Sequence, residues 1–368
     1  MPHAVPLGMQ PGTRGDRGVR RVVSTFTGPG FFRLALALIV FIDHATRLNL
    51  GTSAVLIFFM LSGYWICTMW TVRYSKARIP YLTYLVSRLW RLLPVFILCA
   101  VITWTLLALD GLVPPQVNWV HEAVSNLLII GYSSLAFQPD GPAWSLDIEV
   151  QFYIIAPLLI SMFMRHRVRR LVGVAIFSVS ACFLIGSATV APYLVFFAVG
   201  IACAMSMSKT SLPIACGSLV LSLTLIAGCI AGPFRHILLG GAHPSALYHE
   251  FNGAAQVLFA LTMAPWAIYT TGQTGSHSDG MLGDLSYIVY LLHVPVMRAV
   301  NTGIGSYRHR GELICEALLI VLLGAVLIWG IFDRPMNRLR SKWVVGRIAS
   351  GCDEHSTANR RYISAAKG

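Results

Sequence analysis

The sequence is poor in charged residues. Only 12% of its 368 residues are Asp, Glu, Lys or Arg, whereas 56% are hydrophobic. A soluble domain carries about 25% charged residues, so this composition excludes an ordinary water-soluble domain. Carboxylates are the scarcer charge, with 15 Asp and Glu against 28 Lys and Arg and a formal net charge of +13. The basic residues cluster at the ends of apolar segments rather than in one patch, which argues against a nucleic-acid-binding surface.

Patterns that bind metals are also missing. The eight cysteines form no C-x-x-C pair and have no zinc-ligand spacing, and seven of them lie inside apolar segments. We interpret them as small buried hydrophobic residues. We therefore expect no metal site, no disulfide framework and no bound cofactor.

Long apolar runs dominate the sequence instead. They extend over about 18–25 residues, enough to cross roughly 30 Å of hydrocarbon at about 1.5 Å per residue. The pattern predicts an all-α fold, a polytopic transmembrane bundle of about ten spans in a lipid bilayer. The predicted spans cover residues 31–48, 52–71, 82–108, 144–164, 171–189, 191–207, 212–231, 251–270, 284–301 and 312–332. In the intervening loop 109–143, a short helix over residues 121–130 is predicted to lie at the membrane interface.

The distribution of positive charge predicts the topology. If the chain alternates sides through ten spans from a cytoplasmic N-terminus, few of the 28 Lys and Arg fall on the outer side. Those few are Arg47, Arg235, Arg298, Arg308 and Arg310. This asymmetry follows the positive-inside rule and predicts that both termini are cytoplasmic. We expect a cytoplasmic tail (1–30), a membrane domain (31–337) and a basic cytoplasmic tail (338–368).

Arg33 and His44 are ionisable residues in the first span, where charge is costly and therefore suggests function. They are eleven positions apart, so they lie within about 20° of one helix face and about 16 Å apart along its axis. An interfacial arginine and a core histidine would give the same pattern, and the pair alone does not decide between the two. Asp43 adds a neighbouring carboxylate of unassigned role.

Arg88 and Arg91 open the third span at i, i+3 spacing and share a helix face at the cytoplasmic surface. Guanidinium pairs suit a phosphorylated ligand. Topology anchors have the same spacing, and the spacing alone favours that interpretation. In the second span, Ser62 and Gly63 favour close helix packing over a chemical role.

The fourth span begins with Trp144 and Ser145 and carries Glu149 and Tyr153 one turn apart. A carboxylate near a helix N-terminus complements the helix dipole. Glu149 also lies far enough along the span to orient or polarise a histidine as part of a His–carboxylate pair. Both interpretations remain open from the residues alone.

The ninth span carries a second intramembrane imidazole, His293. Ser286 lies seven positions before it and shares its helix face, and Tyr290 lies about one turn before it. Tyr287 adds a further hydroxyl at the start of this segment. A proton relay in a transporter would show the same residues.

Taken in order, these segments resemble the acyltransferase-3 family of bacterial integral membrane acyltransferases. The motifs that match are Arg33 with His44, residues 58–64, Arg88 with Arg91 and Pro94, residues 144–149, and residues 286–293. The usual E-x-P of the last helix is replaced by an Asp at 333–335, and Asp43 is not part of the pattern. The resemblance covers residues 31 to 337.

The resemblance implies an acyl-CoA co-substrate, usually acetyl-CoA, and an acceptor hydroxyl on a glycan, a lipid-linked sugar or a macrolide. His44 is then the expected general base or transient acyl carrier, with Glu149 orienting it. The expected donor-binding residues are Arg33, Arg88 and Arg91. The expected substrate-binding residues are Trp144, Ser145, Tyr153, Tyr287 and His293.

Within this interpretation we favour O-acetylation of an exported polysaccharide or its lipid-linked precursor at the bacterial inner membrane. Polysaccharide assembly machinery is an expected partner, and nucleic acid is not. An antibiotic (macrolide) O-acyltransferase is the nearest alternative. A proton-coupled glycan transporter or flippase, or a non-catalytic scaffold of an assembly complex, would not consume acyl-CoA.

Overall fold

The computed structural model describes residues 27–164, 166–206, 210–241, 243–273, 276–300 and 310–365, so most of the predicted N-terminal tail lies outside the described residues. The helices are α1 (Pro29–Ala45), α2 (Gly51–Val72), α3 (Pro80–Leu109), α4 (Trp119–Leu128), α5 (Trp144–Phe163), α6 (Arg167–Leu184), α7 (Leu194–Ser206), α8 (Leu212–Ala231), α9 (Arg235–Leu238), α10 (Ala246–Thr271), α11 (His277–Ala299), α12 (Arg310–Ile328) and α13 (Arg334–Ala365).

Each of the ten predicted spans coincides with one of these helices. Within the described residues, seven segments are long and apolar enough to cross a membrane. Among the others, α1 has 17 residues, α7 has 13, and α6 opens with three arginines. The all-helical prediction is confirmed for the described part of the chain, where the only strand-like pairing is one bridge between Leu48 and Leu239. Ten spans and cytoplasmic termini stay predictions.

The outer helices expose apolar side chains. In α8, Ala215 and Ser222 are the buried residues, whereas Val220 and Leu223 are more than half exposed. Water would penalise such a surface, but hydrocarbon would not. The chain is therefore a multi-pass membrane protein.

Helices α1 and α11 pack side by side at the centre of the bundle. The Asp279 carboxylate of α11 accepts hydrogen bonds from the backbone N–H groups of Gly30 (3.1 Å) and Phe31 (2.9 Å). A carboxylate at this position satisfies donors that the first helical turn leaves open and complements the helix dipole. A Cβ on Gly30 would lie 1.8 Å from the Asp279 carbonyl oxygen, so only glycine permits this contact.

Helices α2 and α7 also approach closely through glycine. A Cβ on Gly63 would lie 2.1 Å from the carbonyl oxygen of Phe197, and one on Gly200 would lie 2.0 Å from that of Met60. The close helix approach predicted at Gly63 is confirmed, because small residues let two backbones touch.

The loop between α3 and α5 contains the predicted short helix, here α4. The part of this loop that leads into α5 is held in place by Asp147, which is fully buried. The Asp147 carboxylate accepts hydrogen bonds from the backbone N–H groups of Gly131 (3.1 Å) and Ser133 (2.8 Å) and from Gln151 Nε2 (3.0 Å). Gly131 has φ +77°, a left-handed conformation that glycine adopts without strain.

Candidate active site

A cavity of about 360 Å³ lies within the helix bundle. Its wall comes from α1, α2, α3, α5, α11 and α13. The polar residues that line it are Arg33, Ser62, Arg88, Arg91, Ser145, Glu149, Tyr153, Ser286, Tyr287, Tyr290 and Arg340. The sequence places these side chains in six separate segments, and the packing of the helices brings them to one space.

Four guanidinium groups line one part of this cavity. Arg33 lies over the Trp65 ring at 5.9 Å, and Arg88 lies over the Tyr74 ring at 5.5 Å, both within cation–π range. Arg91 makes an ion pair with Asp284 at 3.0 Å. Arg88 is only 9% exposed, yet its Nε and Nη2 atoms have no hydrogen-bond partner among the described residues.

Positive charge exceeds negative charge in the cavity wall. Glu149 is the one carboxylate among the lining residues, against four arginines. Behind the wall, Asp284 pairs with Arg91, and Asp333 lies within electrostatic range of it. Unpaired charge inside a bilayer is costly, so this excess of guanidinium groups favours an anionic ligand.

Glu149 is held by two hydroxyl groups. Its Oε1 atom accepts hydrogen bonds from Ser62 Oγ (2.8 Å) and Tyr153 Oη (2.7 Å). The predicted direct contact between Glu149 and His44 is not present among the hydrogen bonds of the described residues. The reason is geometric, because Glu149 faces the cavity and the His44 ring does not line it.

The other end of the cavity is neutral. Ser145 Oγ and Tyr290 Oη are 2.7 Å apart, and each lies 3.0 Å from the carbonyl oxygen of Pro142, so one hydroxyl donates to that carbonyl and the other donates to the first hydroxyl. Tyr287 Oη donates to the carbonyl oxygen of Leu92 at 2.8 Å. The Ser145–Tyr290 pair lies at the start of α5, on the predicted outer side, whereas the Tyr287 hydroxyl is held in the first half of α3.

Two imidazoles lie beyond Tyr290. The His293 ring is 6.2 Å from the Tyr290 ring and 5.1 Å from the His44 ring, measured between centroids. His293 is fully buried, and neither ring nitrogen makes a hydrogen bond of ordinary geometry within the described residues. The sequence predicted each histidine separately, and the structure brings them together.

His44 has a defined ring orientation. Its Nδ1 atom lies 2.9 Å from the carbonyl oxygen of Val40, and Asp43 Oδ2 is 3.7 Å away. A proton on Nδ1 satisfies both neighbours and leaves Nε2 as the basic atom. Asp43 Oδ1 accepts from the backbone N–H groups of Leu50 and Gly51, both at 2.6 Å. Asp43 therefore ties the start of α2 to the imidazole.

A second buried carboxylate lies on the loop above this region. Asp140 is 1% exposed, and neither carboxylate oxygen has a hydrogen-bond partner among the described residues. Burial raises the pKa of Asp140 to about 8, and the positive charge of Arg298 opposes this shift. The Asp140 carboxyl group is therefore mostly protonated at neutral pH.

Most, but not all, of the predicted site residues line the cavity. Arg33, Arg88, Arg91, Ser145, Glu149, Tyr153 and Tyr287 line the cavity, and His44 and His293 lie next to its neutral end. Trp144 does not line it but packs against Phe59 and Tyr193. Arg340 and Asp284 were not predicted, because each matches no motif and only the helix packing reveals its role.

Comparison with known proteins identifies the family of this chain. The model of the acyltransferase domain family, Acyl_transf_3, matches residues 22–333. The chain belongs to this family. The resemblance derived from the motifs is thereby confirmed, and the match includes every predicted site residue. No solved structure matches the chain.

Three relatives illustrate the range of this acyltransferase family. The O-acetyltransferase OatA of Staphylococcus aureus is 24% identical over 82% of this chain and 55% of its own length, so the chain spans about half of that relative. The acyltransferase MdmB of Streptomyces mycarofaciens is 25% identical over 79% of this chain and 82% of its own. Nodulation protein 10 of Rhizobium leguminosarum bv. viciae is 24% identical over 80% and 84%.

Proposed function

We propose that this chain is a membrane O-acyltransferase that moves an acetyl group from acetyl-CoA to a hydroxyl of an exported polysaccharide or its lipid-linked precursor. One observation carries the proposal. A single cavity has guanidinium groups at one end and neutral hydroxyls at the other, beside two imidazoles. The charge distribution of acetyl-CoA is complementary, with anionic phosphates at one end and a neutral thioester at the other.

The donor binds with its phosphates among Arg33, Arg88 and Arg91, through charge-assisted hydrogen bonds. Its thioester points to the Ser145–Tyr290 end of the cavity. The Tyr290 ring lies between this end and the His293 and His44 rings, so the acyl carbon meets the acceptor beside Tyr290.

His44 acts as the general base. Its Nε2 atom takes the proton of the acceptor hydroxyl while the hydroxyl oxygen attacks the thioester carbonyl carbon. The C–S bond then breaks, and the CoA thiolate leaves and receives the proton from the imidazolium. Transient acylation of His44 is the alternative route. The imidazole Nε2 attacks the thioester carbon and the C–S bond breaks, releasing the CoA thiolate; the acceptor hydroxyl then attacks the acyl-imidazole, the acyl–nitrogen bond breaks, and the hydroxyl proton passes to the thiolate.

Glu149 acts through its neighbours in this scheme. It orients Ser62 and Tyr153 toward the donor and offsets part of the guanidinium charge. His293 packs against His44 and fixes the position of its ring. Both are positioning residues, whereas His44 touches the reacting atoms.

The acceptor proposal rests on the motif resemblance and on the relative named O-acetyltransferase. The site is placed in the bacterial inner membrane, with both termini in the cytoplasm and the arginine end open to cytoplasmic acetyl-CoA. The Lys and Arg distribution supports this orientation.

The test uses the purified protein in liposomes with acetyl-labelled acetyl-CoA and a lipid extract of the native host. Acyl transfer predicts release of CoA thiol together with label in a glycan or lipid-linked fraction. A transporter or flippase would move substrate without CoA release. Mass spectrometry of surface glycans from a deletion strain should show loss of one acetyl group per repeat, and unchanged glycan masses would contradict the polysaccharide acceptor.

A further inference from the structure

Arg340 belongs to a segment that the sequence assigned to the C-terminal tail, but its side chain lines the cavity. Helix α13 runs without a break across the predicted boundary at residues 337 and 338. This continuous helix brings Arg340 against α3, where its Nη1 atom lies 3.3 Å from Ser87 Oγ. A residue outside every recognised motif therefore contributes to the site wall.

The Arg340 guanidinium has unused donors. Its Nε atom is buried and has no hydrogen-bond partner among the described residues, and Nη1 reaches only the hydroxyl and carbonyl oxygens of Ser87. Arg88, the next residue of α3, likewise has two buried and unpartnered nitrogen atoms. Because buried donors without partners are costly, these two guanidiniums are arranged for acceptor atoms of a ligand.

The position of Arg340 defines which part of the ligand it meets. Ser87 and Arg88 lie in the first third of α3, and Arg340 lies within electrostatic range of both Arg88 and Arg91. Arg91 is already paired with Asp284, so its charge is partly satisfied. Arg340 and Arg88 therefore both present buried donors without partners at the cationic end.

We propose that Arg340 binds a phosphate group of the nucleotide part of the acyl donor, so that α13 completes the donor site. The inference rests on the proposed function, because it assigns a role within the same cavity. Guanidinium groups suit phosphate through paired N–H donors, and lysine does not reproduce that geometry. Arg340 thus makes the enzyme select a phosphorylated donor over a bare acyl thioester.

The test compares Arg340→Ala with Arg338→Ala in the full-length protein. Arg338 is exposed on the same helix, so its variant removes the same charge outside the cavity. Each protein is assayed with acetyl-CoA and with S-acetyl-pantetheine, which lacks the nucleotide and its phosphates. Arg340→Ala should raise KM for acetyl-CoA roughly ten- to hundredfold, as for loss of one charge-assisted hydrogen-bonding group, and leave kinetics with S-acetyl-pantetheine unchanged. Arg338→Ala should behave as wild type with both donors.

Equal losses with both donors would overturn the inference, since they would indicate a structural role for Arg340. Unchanged KM for acetyl-CoA would overturn it as well. Arg340→Lys covers the case of a poorly folded alanine variant, and it should also raise KM for acetyl-CoA alone. If the wild type releases no CoA from acetyl-CoA, the proposed function fails. If the wild type is active and Arg340→Ala matches it, only the role of Arg340 fails.

Discussion

Replacing His44 with alanine separates the chemical step from donor binding. General base catalysis contributes about 10²–10⁴-fold to a rate, which equals roughly 2.7–5.4 kcal/mol of transition-state stabilisation. His44 does not line the cavity that we propose for the donor, and Tyr290 and His293 lie between His44 and that cavity. His44→Ala should therefore lower kcat by about that factor and leave the affinity for acetyl-CoA unchanged.

The assay measures acetyl transfer and CoA binding on the same purified sample. His121→Ala is the matched control, because His121 is an exposed histidine in the outer loop. Its kcat should equal that of the wild type. The His44→Ala protein should insert into the membrane and melt as the wild type does, because the His44 ring is partly exposed and fills little of the core. Its lower kcat is therefore expected in correctly folded protein.

Wild-type turnover in an inserted His44→Ala protein would refute the reasoning. So would a large loss of donor affinity with unchanged kcat, because that would place the imidazole in the donor site. Transfer of the basic role to His293 would appear as loss of activity in His293→Ala and retained activity in His44→Ala.

Three further predictions concern the site, the packing and the outer loop. Glu149→Gln should lower kcat about thirtyfold, since two hydrogen bonds to a charged acceptor each weaken by about 1 kcal/mol. Gly200→Ala should destabilise the protein by about 1–3 kcal/mol, because its Cβ would meet the Met60 carbonyl oxygen at 2.0 Å. Asp140→Asn should flatten the pH dependence of stability. Folded Asp140 keeps its proton up to a pKa of about 8, against 3.8 in the unfolded chain. Stability therefore falls as pH rises through that interval, by about 1.4 kcal/mol per pH unit.

Controls for these predictions come from the same chain. Glu250→Gln changes an exposed carboxylate on α10 and should leave kcat unchanged. Gly173→Ala adds a Cβ that meets nothing within 4 Å, and it should leave thermal stability unchanged or slightly higher. Asp110→Asn alters an exposed carboxylate just after α3 and should keep the wild-type slope of melting temperature against pH. Each prediction is contradicted if its variant matches the wild type in kcat, stability or pH dependence, or if the control variant shows the same change.

Apolar run length was sufficient to predict the helices. Ten runs in the sequence became ten helices, because every backbone group in hydrocarbon must be hydrogen-bonded within its own segment. The apolar runs did not show which helices cross the membrane. Helices α1 and α7 are short, and only seven segments of the described residues are both long and apolar enough to span it. Helix ends depend on local contacts, such as the Asp279 carboxylate at the start of α1, which sequence periodicity does not reveal.

Site residues were predictable where they belong to motifs. Arg33, Arg88, Arg91 and Glu149 all face one cavity, although spacing alone favoured a simple anchor role for Arg88 and Arg91. Tyr153 lies one turn from Glu149 on α5, so their contact follows from spacing. The contact with Ser62 was not predictable, since Ser62 reaches Glu149 through the packing of α2 against α5. Spacing describes one helix at a time, and contacts between helices depend on how they pack.

The two acidic residues at the start of α5 illustrate the same limit. Asp147 and Glu149 are two positions apart, so they point to different sides of the helix. Asp147 organises the outer loop through three hydrogen bonds, and Glu149 faces the cavity. For Glu149, sequence alone left a dipole-complementing role and a histidine-orienting role both open, and the separate role of Asp147 depends on the loop that packs against it.

The most direct test is a density map of the full-length protein bound to a non-hydrolysable acetyl-CoA analogue. The account predicts phosphate density within hydrogen-bonding distance of Arg88 and Arg340, and the acyl carbon beside Tyr290 on the side facing His293 and His44. A nucleotide bound at the Ser145–Tyr290 end, or a ligand outside the cavity, would contradict it.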